Sequence, residues 1–112
     1  MTTITVFRRP DGTLSGFDSR GHTGYADAGE DIVCAAVSAL TQATVNGLAN
    51  VLAAPVTCEI DERRAHLSAS LADVPEDKRA GAQLLLQTLV EALKSVEAEY
   101  PRFVRVIFEE RR

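Results

Sequence analysis

Residues 20–40 read RGHTGYADAGEDIVCAAVSAL and carry one of the chain's two histidines and one of its two cysteines. A thiolate is a strong nucleophile and an imidazole a base near neutral pH. His22 and Cys34 are therefore the residue types that acyl transfer needs: Cys34 attacks a carbonyl carbon, and His22 takes the thiol proton and later gives it to the leaving amine. The pattern predicts a helix starting near Asp31, with Cys34 in its first turn. There, unpaired backbone amides and the positive end of the helix macrodipole favour the thiolate and can hold an oxyanion. The loop Thr23–Gly29, edged by glycines, is expected to fold the imidazole back to the helix start and to be able to move.

Asp31 stands three residues before Cys34, where a bare carboxylate would push the thiol up. Its expected occupation is either capping the helix amides or accepting the second ring nitrogen of His22 and fixing its tautomer. Ser38, one turn beyond Cys34, is a candidate donor to a bound substrate, and Gly21, just before the histidine, a candidate substrate contact. Blander roles stand beside these: a cysteine is often a small buried hydrophobe. His22, Cys34, Cys58 and His66 lack the closely spaced ligand pairs of a zinc site, so no metal and no cofactor is expected. Cys58 and His66 read as strand residues, and the cysteines as thiols rather than a bridge.

The elements that must position these groups follow from periodicity. ITVFR (residues 4–8) and residues 13–19 flank Pro10-Asp11-Gly12 and predict a hairpin. A helix then runs to about Leu52, broken by Ala53-Ala54-Pro55. Ala35, Ala39, Ala43 and Gly47 make one flank bare, while Val33, Val37, Leu40, Leu48 and Val51 make a bulkier one. Both are expected to be buried, the bare one against the second helix or a partner chain. VTCEI (56–60) and RAHLSASL (64–71) predict a second hairpin, with Ala65, Leu67, Ala69 and Leu71 inward. Pro75 suits a first helical turn, and Ala82, Leu85, Leu86, Leu89, Leu93 and Val96 trace the stripe of a second helix ending at Tyr100-Pro101. Val104, Val106 and Phe108 alternate in a last strand before a charged tail. The fold class is α+β, a mixed β-sheet with two helices packed on it in the order ββαββαβ, and residues 1–112 form a single domain.

With 46% hydrophobic and 25% charged residues the 112-residue chain reads as globular. A net charge of −4 argues against direct nucleic-acid binding and suits a basic partner. The uncharged stretch from Ile32 to Cys58 raises the question of a membrane span, but Ser38, Thr41, Gln42, Thr44, Asn46 and Asn50 recur through it, so a buried soluble helix is expected and no membrane partner. No secretory signal is read at MTTITVFRRP, and a cytoplasmic location is expected.

The run GHTGYADAGEDIVCAAVSALTQATVNGL resembles the signature of the ribosomal-processing cysteine proteases, the Prp family that includes the YsxB-type proteins. In that signature a Gly-His pair, a loop and a Gly-x-Asp-Ile-Val-Cys-Ala-Ala-Val-Ser run appear in this order. The resemblance extends over nearly the whole chain, to Asn46 near the far end of the helix and to Glu99-Tyr100-Pro101 closing the second. It implies a cysteine endopeptidase with Cys34 as nucleophile, His22 as general base and Asp31 as a supporting acid. It further implies a homodimer and, as substrate, the N-terminal extension of large-subunit ribosomal protein twenty-seven, cut after paired phenylalanines during ribosome assembly. Thr23 stands where that signature more often has alanine. The alternative is a non-catalytic, ribosome-associated module that recognises a basic protein tail without cutting it.

Overall fold

The computed structural model describes residues 1–21 and 28–111, the side chains of 28–31 excepted. The elements follow in the expected order: β1 (Thr2–Arg8), β2 (Leu14–Arg20), α1 (Ala28–Asn46) continuing into a π-helical turn (Gly47–Val51), β3 (Val56–Asp61), β4 (His66–Leu71), α2 (Glu76–Glu99) and β5 (Val104–Glu110). The strands form one sheet in the order β3-β4-β2-β1-β5. All neighbours are antiparallel except β1 and β5, which run parallel because α2 carries the chain back across the sheet.

Alternation along the strands, broken by a register shift at Phe7/Arg8, divides the sheet into two faces. Ile4 lies opposite Ser19, Val6 opposite Phe17, Ser19 opposite Leu67 and Phe17 opposite Ala69, and this paired set is buried. Val33, Val37 and Leu48 of the first helix and Ala82, Leu86, Leu89 and Leu93 of the second complete the core over it. The other face carries Thr3, Thr5, Asp18, Arg20, His66 and Ser68 in the alternate positions. One sheet face packed under helices and the other mostly polar, with Phe7 there covered by Arg111, is the pattern of a two-layer α+β domain.

The first helix departs from expectation in three ways. It starts at Ala28, so Ala28-Gly29 belong to the helix and Cys34 falls in the second turn, not the first. Asp31, the fourth helical residue, lies inside the first turn and cannot be the N-cap. Its bare flank is also not buried: Ala35, Ala39 and Ala43 are exposed, and only Gly47 meets α2, where an added Cβ would sit 3.3 Å from Leu85 Cδ2. Gly81 reciprocates, since a Cβ there would approach Leu52 Cδ1 to 2.8 Å. Close approach is confined to that crossing, because small side chains permit contact without supplying the apolar area that drives it.

At the helix end, Leu52 N–H donates to Gly47 O at 2.8 Å, the i→i+5 bond of a π turn. The extra residue in this turn moves Val51 off the buried face, leaving it 87% exposed, and turns Leu52 toward α2. Ala53 then ends the helix in the left-handed region (φ 55°). The segment Ile32–Val51 is long and apolar enough to cross a membrane by length and composition, with 28% of that window buried in the protein. Its buried side is Val33, Val37, Thr41, Thr44 and Leu48, and the two threonine hydroxyls donate back to the carbonyls of Val37 and Leu40 at 2.8 Å. Pro75 is the N-cap of α2 rather than its first helical residue (ψ 146°), and the last strand takes in Glu109 and Glu110 from the charged tail.

Candidate active site

Cys34 is half-buried and lines a cavity of about 480 Å³. Three pieces of the fold meet there. From α1 come Cys34, Ala35, Ser38 and Gln42; from the start of β1 and the end of β2 come Thr2, Ser19 and Gly21; from the β3–β4 hairpin come Ile60, Asp61, Glu62 and Ala65. The pairing of β4 with β2 brings the hairpin to this place, because Arg20 lies opposite His66 and Asp61 opposite His66 on the other side.

Thr2 joins these pieces at the sulfur. The residue is 3% exposed, its hydroxyl donates to Gly21 O at 3.1 Å, and its Oγ1 lies 3.7 Å from Cys34 Sγ. With its proton on Gly21 O, the hydroxyl accepts from the thiol; facing a thiolate, it can turn and donate, as a charged acceptor makes the stronger bond. Gly21 itself has φ 110°, and a Cβ there would lie 2.1 Å from Met1 O, so the chain leaves β2 along a path that only glycine follows.

The sequence-predicted residues divide accordingly. Cys34, Ser38 and Gly21 share this cavity. His22, residues 23–27 of the expected covering loop, and the Asp31 side chain lie outside the described residues. The helix start alters one argument about Cys34: the unpaired amides of α1 belong to its first turn at residues 28–31, and Cys34 stands beyond them.

Sequence reasoning missed Thr2, Gln42 and the hairpin wall, none of which carries a local motif. It also missed that His66, which borders the cavity, bonds to Asp18: Nε2 to Oδ1 is 2.5 Å, and Arg20 Nε donates to Asp18 Oδ2 at 2.8 Å. These three occupy the helix-free face of the sheet. Burial pulls the Asp18 carboxyl upward, but the bonds from Arg20 and His66 more than offset it and hold it below the ordinary carboxylate value. Cys58 is different in kind: burial, with Glu59 beside it, pushes its thiol up. Neither cysteine is in a disulfide.

Comparison with known proteins gives a consistent result. The family model described as cysteine protease Prp matches residues 1–105. The ribosomal processing cysteine protease Prp of Staphylococcus aureus (strain Mu50 / ATCC 700699) is 28% identical over 106 residues, covering 95% of this chain and 97% of the relative. The crystal structure of an essential ribosomal processing protease Prp from S. aureus in complex with a substrate peptide matches with a TM-score of 0.87 at 26% identity, over 97% of this chain and all (100%) of that one. Its counterpart with a covalently linked product peptide matches at 0.83 and 28%, with the same coverage.

Proposed function

We propose, from the premise that this chain belongs to the cysteine protease Prp family, that it is a cysteine endopeptidase whose nucleophile is Cys34 and whose general base is His22. The observation that carries the reading is the thiol opening into a peptide-sized cavity. Beside it, the Thr2 hydroxyl touches both the sulfur and the carbonyl of Gly21, the residue adjoining His22 in sequence. That leaves His22 only one residue of chain from a point two hydrogen-bond lengths from the sulfur.

In the reaction, His22 takes the thiol proton, Cys34 Sγ bonds to the scissile carbonyl carbon, and the tetrahedral intermediate collapses as His22 protonates the departing amine. Water, deprotonated by the same imidazole, then cleaves the thioester. The relative that holds a covalently linked product peptide supports such an acyl intermediate. Asp31, having lost the capping role, is assigned to the second nitrogen of His22.

The name of the S. aureus relative supports a ribosomal substrate, and the resemblance of the sequence signature narrows it to the N-terminal extension of large-subunit protein twenty-seven, cut after paired phenylalanines. The net charge of −4 suits so basic a partner. The enzyme acts in the cytoplasm as a homodimer, without binding nucleic acid or membrane directly. The exposed Ala39 and Ala43, which lie outside the cavity, offer a surface on which a second copy can approach closely.

The test is incubation with a peptide that places paired phenylalanines before a basic tail. Cleavage is expected for the wild type and lost in Cys34→Ala and His22→Ala. Peptide cut as fast by Cys34→Ala removes the mechanism, and a protein that binds but never cuts it is the recognition module instead.

A further inference from the structure

Resting on the protease reading, we propose that the groove between α1 and the β3–β4 hairpin is the side-chain subsite beside the nucleophile, with Ile60 as its apolar wall and Glu62 as its contact for a basic residue. β3 is an edge strand, and Ile60, opposite Leu67, points to the helix-covered face. Leu67 is buried there, yet Ile60, at the far end of the edge strand from the core-packed Val56 and Cys58, is 58% exposed. A large aliphatic side chain is thus left bare inside the same cavity as the Cys34 sulfur.

The opposite wall is α1: beside Cys34, Ala35 and Ser38 line the cavity with small side chains, and Gln42 lines it farther along the helix. A cavity of about 480 Å³ that sets Ile60 against the small side chains of Ala35 and Ser38, with Gln42, Asp61 and Glu62 as polar lining, has room for one bulky apolar side chain beside polar contacts. At its hairpin end the charged lining residues are Asp61 and Glu62, and no lysine or arginine lines it among the described residues. Asp61 is partly engaged by Arg64, 3.6 Å away, whereas Glu62 stands exposed on the turn. The occupant that matches this order is an extended peptide with a bulky apolar residue against Ile60 and a basic residue at the turn. The groove is continuous with the nucleophile, so that peptide is the substrate chain itself.

Four peptides test this: a phenylalanine or an alanine at the apolar position, each with a basic or an acidic tail. Ile60 and Glu62 are exposed, so Ile60→Ser and Glu62→Lys are expected to melt with the wild type. Ile60→Ser should lower kcat/KM for the phenylalanine peptides by roughly tenfold or more and erase their advantage over alanine. Glu62→Lys should reverse the tail preference. Folded variants that keep both preferences overturn the proposal. Affinity of the same peptides for Cys34→Ala, by fluorescence anisotropy, separates the two readings: preferences that persist in binding and vanish with Ile60→Ser support the groove even if no peptide is cut, and absence of any binding to Cys34→Ala overturns it.

Discussion

Gly21→Ala concentrates the structural argument in one methyl group. The residue sits at φ 110°, which an L-residue adopts only with strain of about 1–3 kcal/mol. Its new Cβ would also stand 2.1 Å from Met1 O and 3.2 Å from Thr2 Cα, backbone atoms at the start of β1 that cannot swing aside as a side chain can. Relieving that overlap costs a further 1–3 kcal/mol or so, typical of overpacking. The sum is about 2–6 kcal/mol, and at roughly 4 °C per kcal/mol for a chain of this length the melting temperature should fall about 8–24 °C. Gly12→Ala is the control: φ is 90°, but a Cβ meets nothing within 4 Å, so only strain of about 1 kcal/mol remains. Thermal unfolding followed by far-UV circular dichroism reads both. Relief by displacing Gly21 also moves its carbonyl from the Thr2 hydroxyl, so alkylation of Cys34 in the still-folded variant should slow as well. If Gly21→Ala melts no lower than Gly12→Ala, the close approach of the two strand ends is not what the geometry says.

Three more predictions concern the surrounding groups. Thr2→Val removes the hydroxyl 3.7 Å from the sulfur while keeping its shape, and should slow alkylation of Cys34 by iodoacetamide several-fold, a loss that Thr2→Ser restores; equal rates for all three would dismiss the contact. The Asp18 carboxyl titrates below its unfolded value, so its contribution to stability is present above about pH 4 and lost as pH falls through the lower folded value. Asp18→Asn should flatten the stability profile between roughly pH 2 and 5, measured by urea unfolding. Because burial and Glu59 push the Cys58 thiol up, mass spectrometry after brief labelling at neutral pH should find the label on Cys34 before Cys58, and the reverse order would contradict the assigned nucleophile.

The hairpins, the α2 stripe and the order of elements were legible because alternation and helical spacing are local signals that burial reinforces. Three features were not, each for a physical reason. Asp31 looked like a helix start since aspartate is a favoured N-cap, but the helix extends back to Ala28 and leaves Asp31 inside the first turn. The alanine flank looked buried because small residues at four-residue spacing are a mark of close helix contact, yet in this fold Ala35 lines the cavity and Ala39 and Ala43 are exposed, since small side chains supply little apolar area to drive burial. The third is the assembly of the cavity and its neighbours. Thr2 meets Cys34 across 32 residues and His66 meets Asp18 across 48, contacts set by which strands become neighbours, and no local pattern states that β4 will lie against β2.

The π turn at Gly47–Val51 works as a phase shifter for whatever follows it. Removing a single residue there would restore ordinary helical bookkeeping while rotating Leu52 out of the notch at Gly81 and withdrawing Ala54 from the bond its amide makes to Leu48 O. A deletion that is harmless in most exposed helix ends would here unseat the junction between the two helices, and with it the entry of the chain into β3, the strand that presents Ile60.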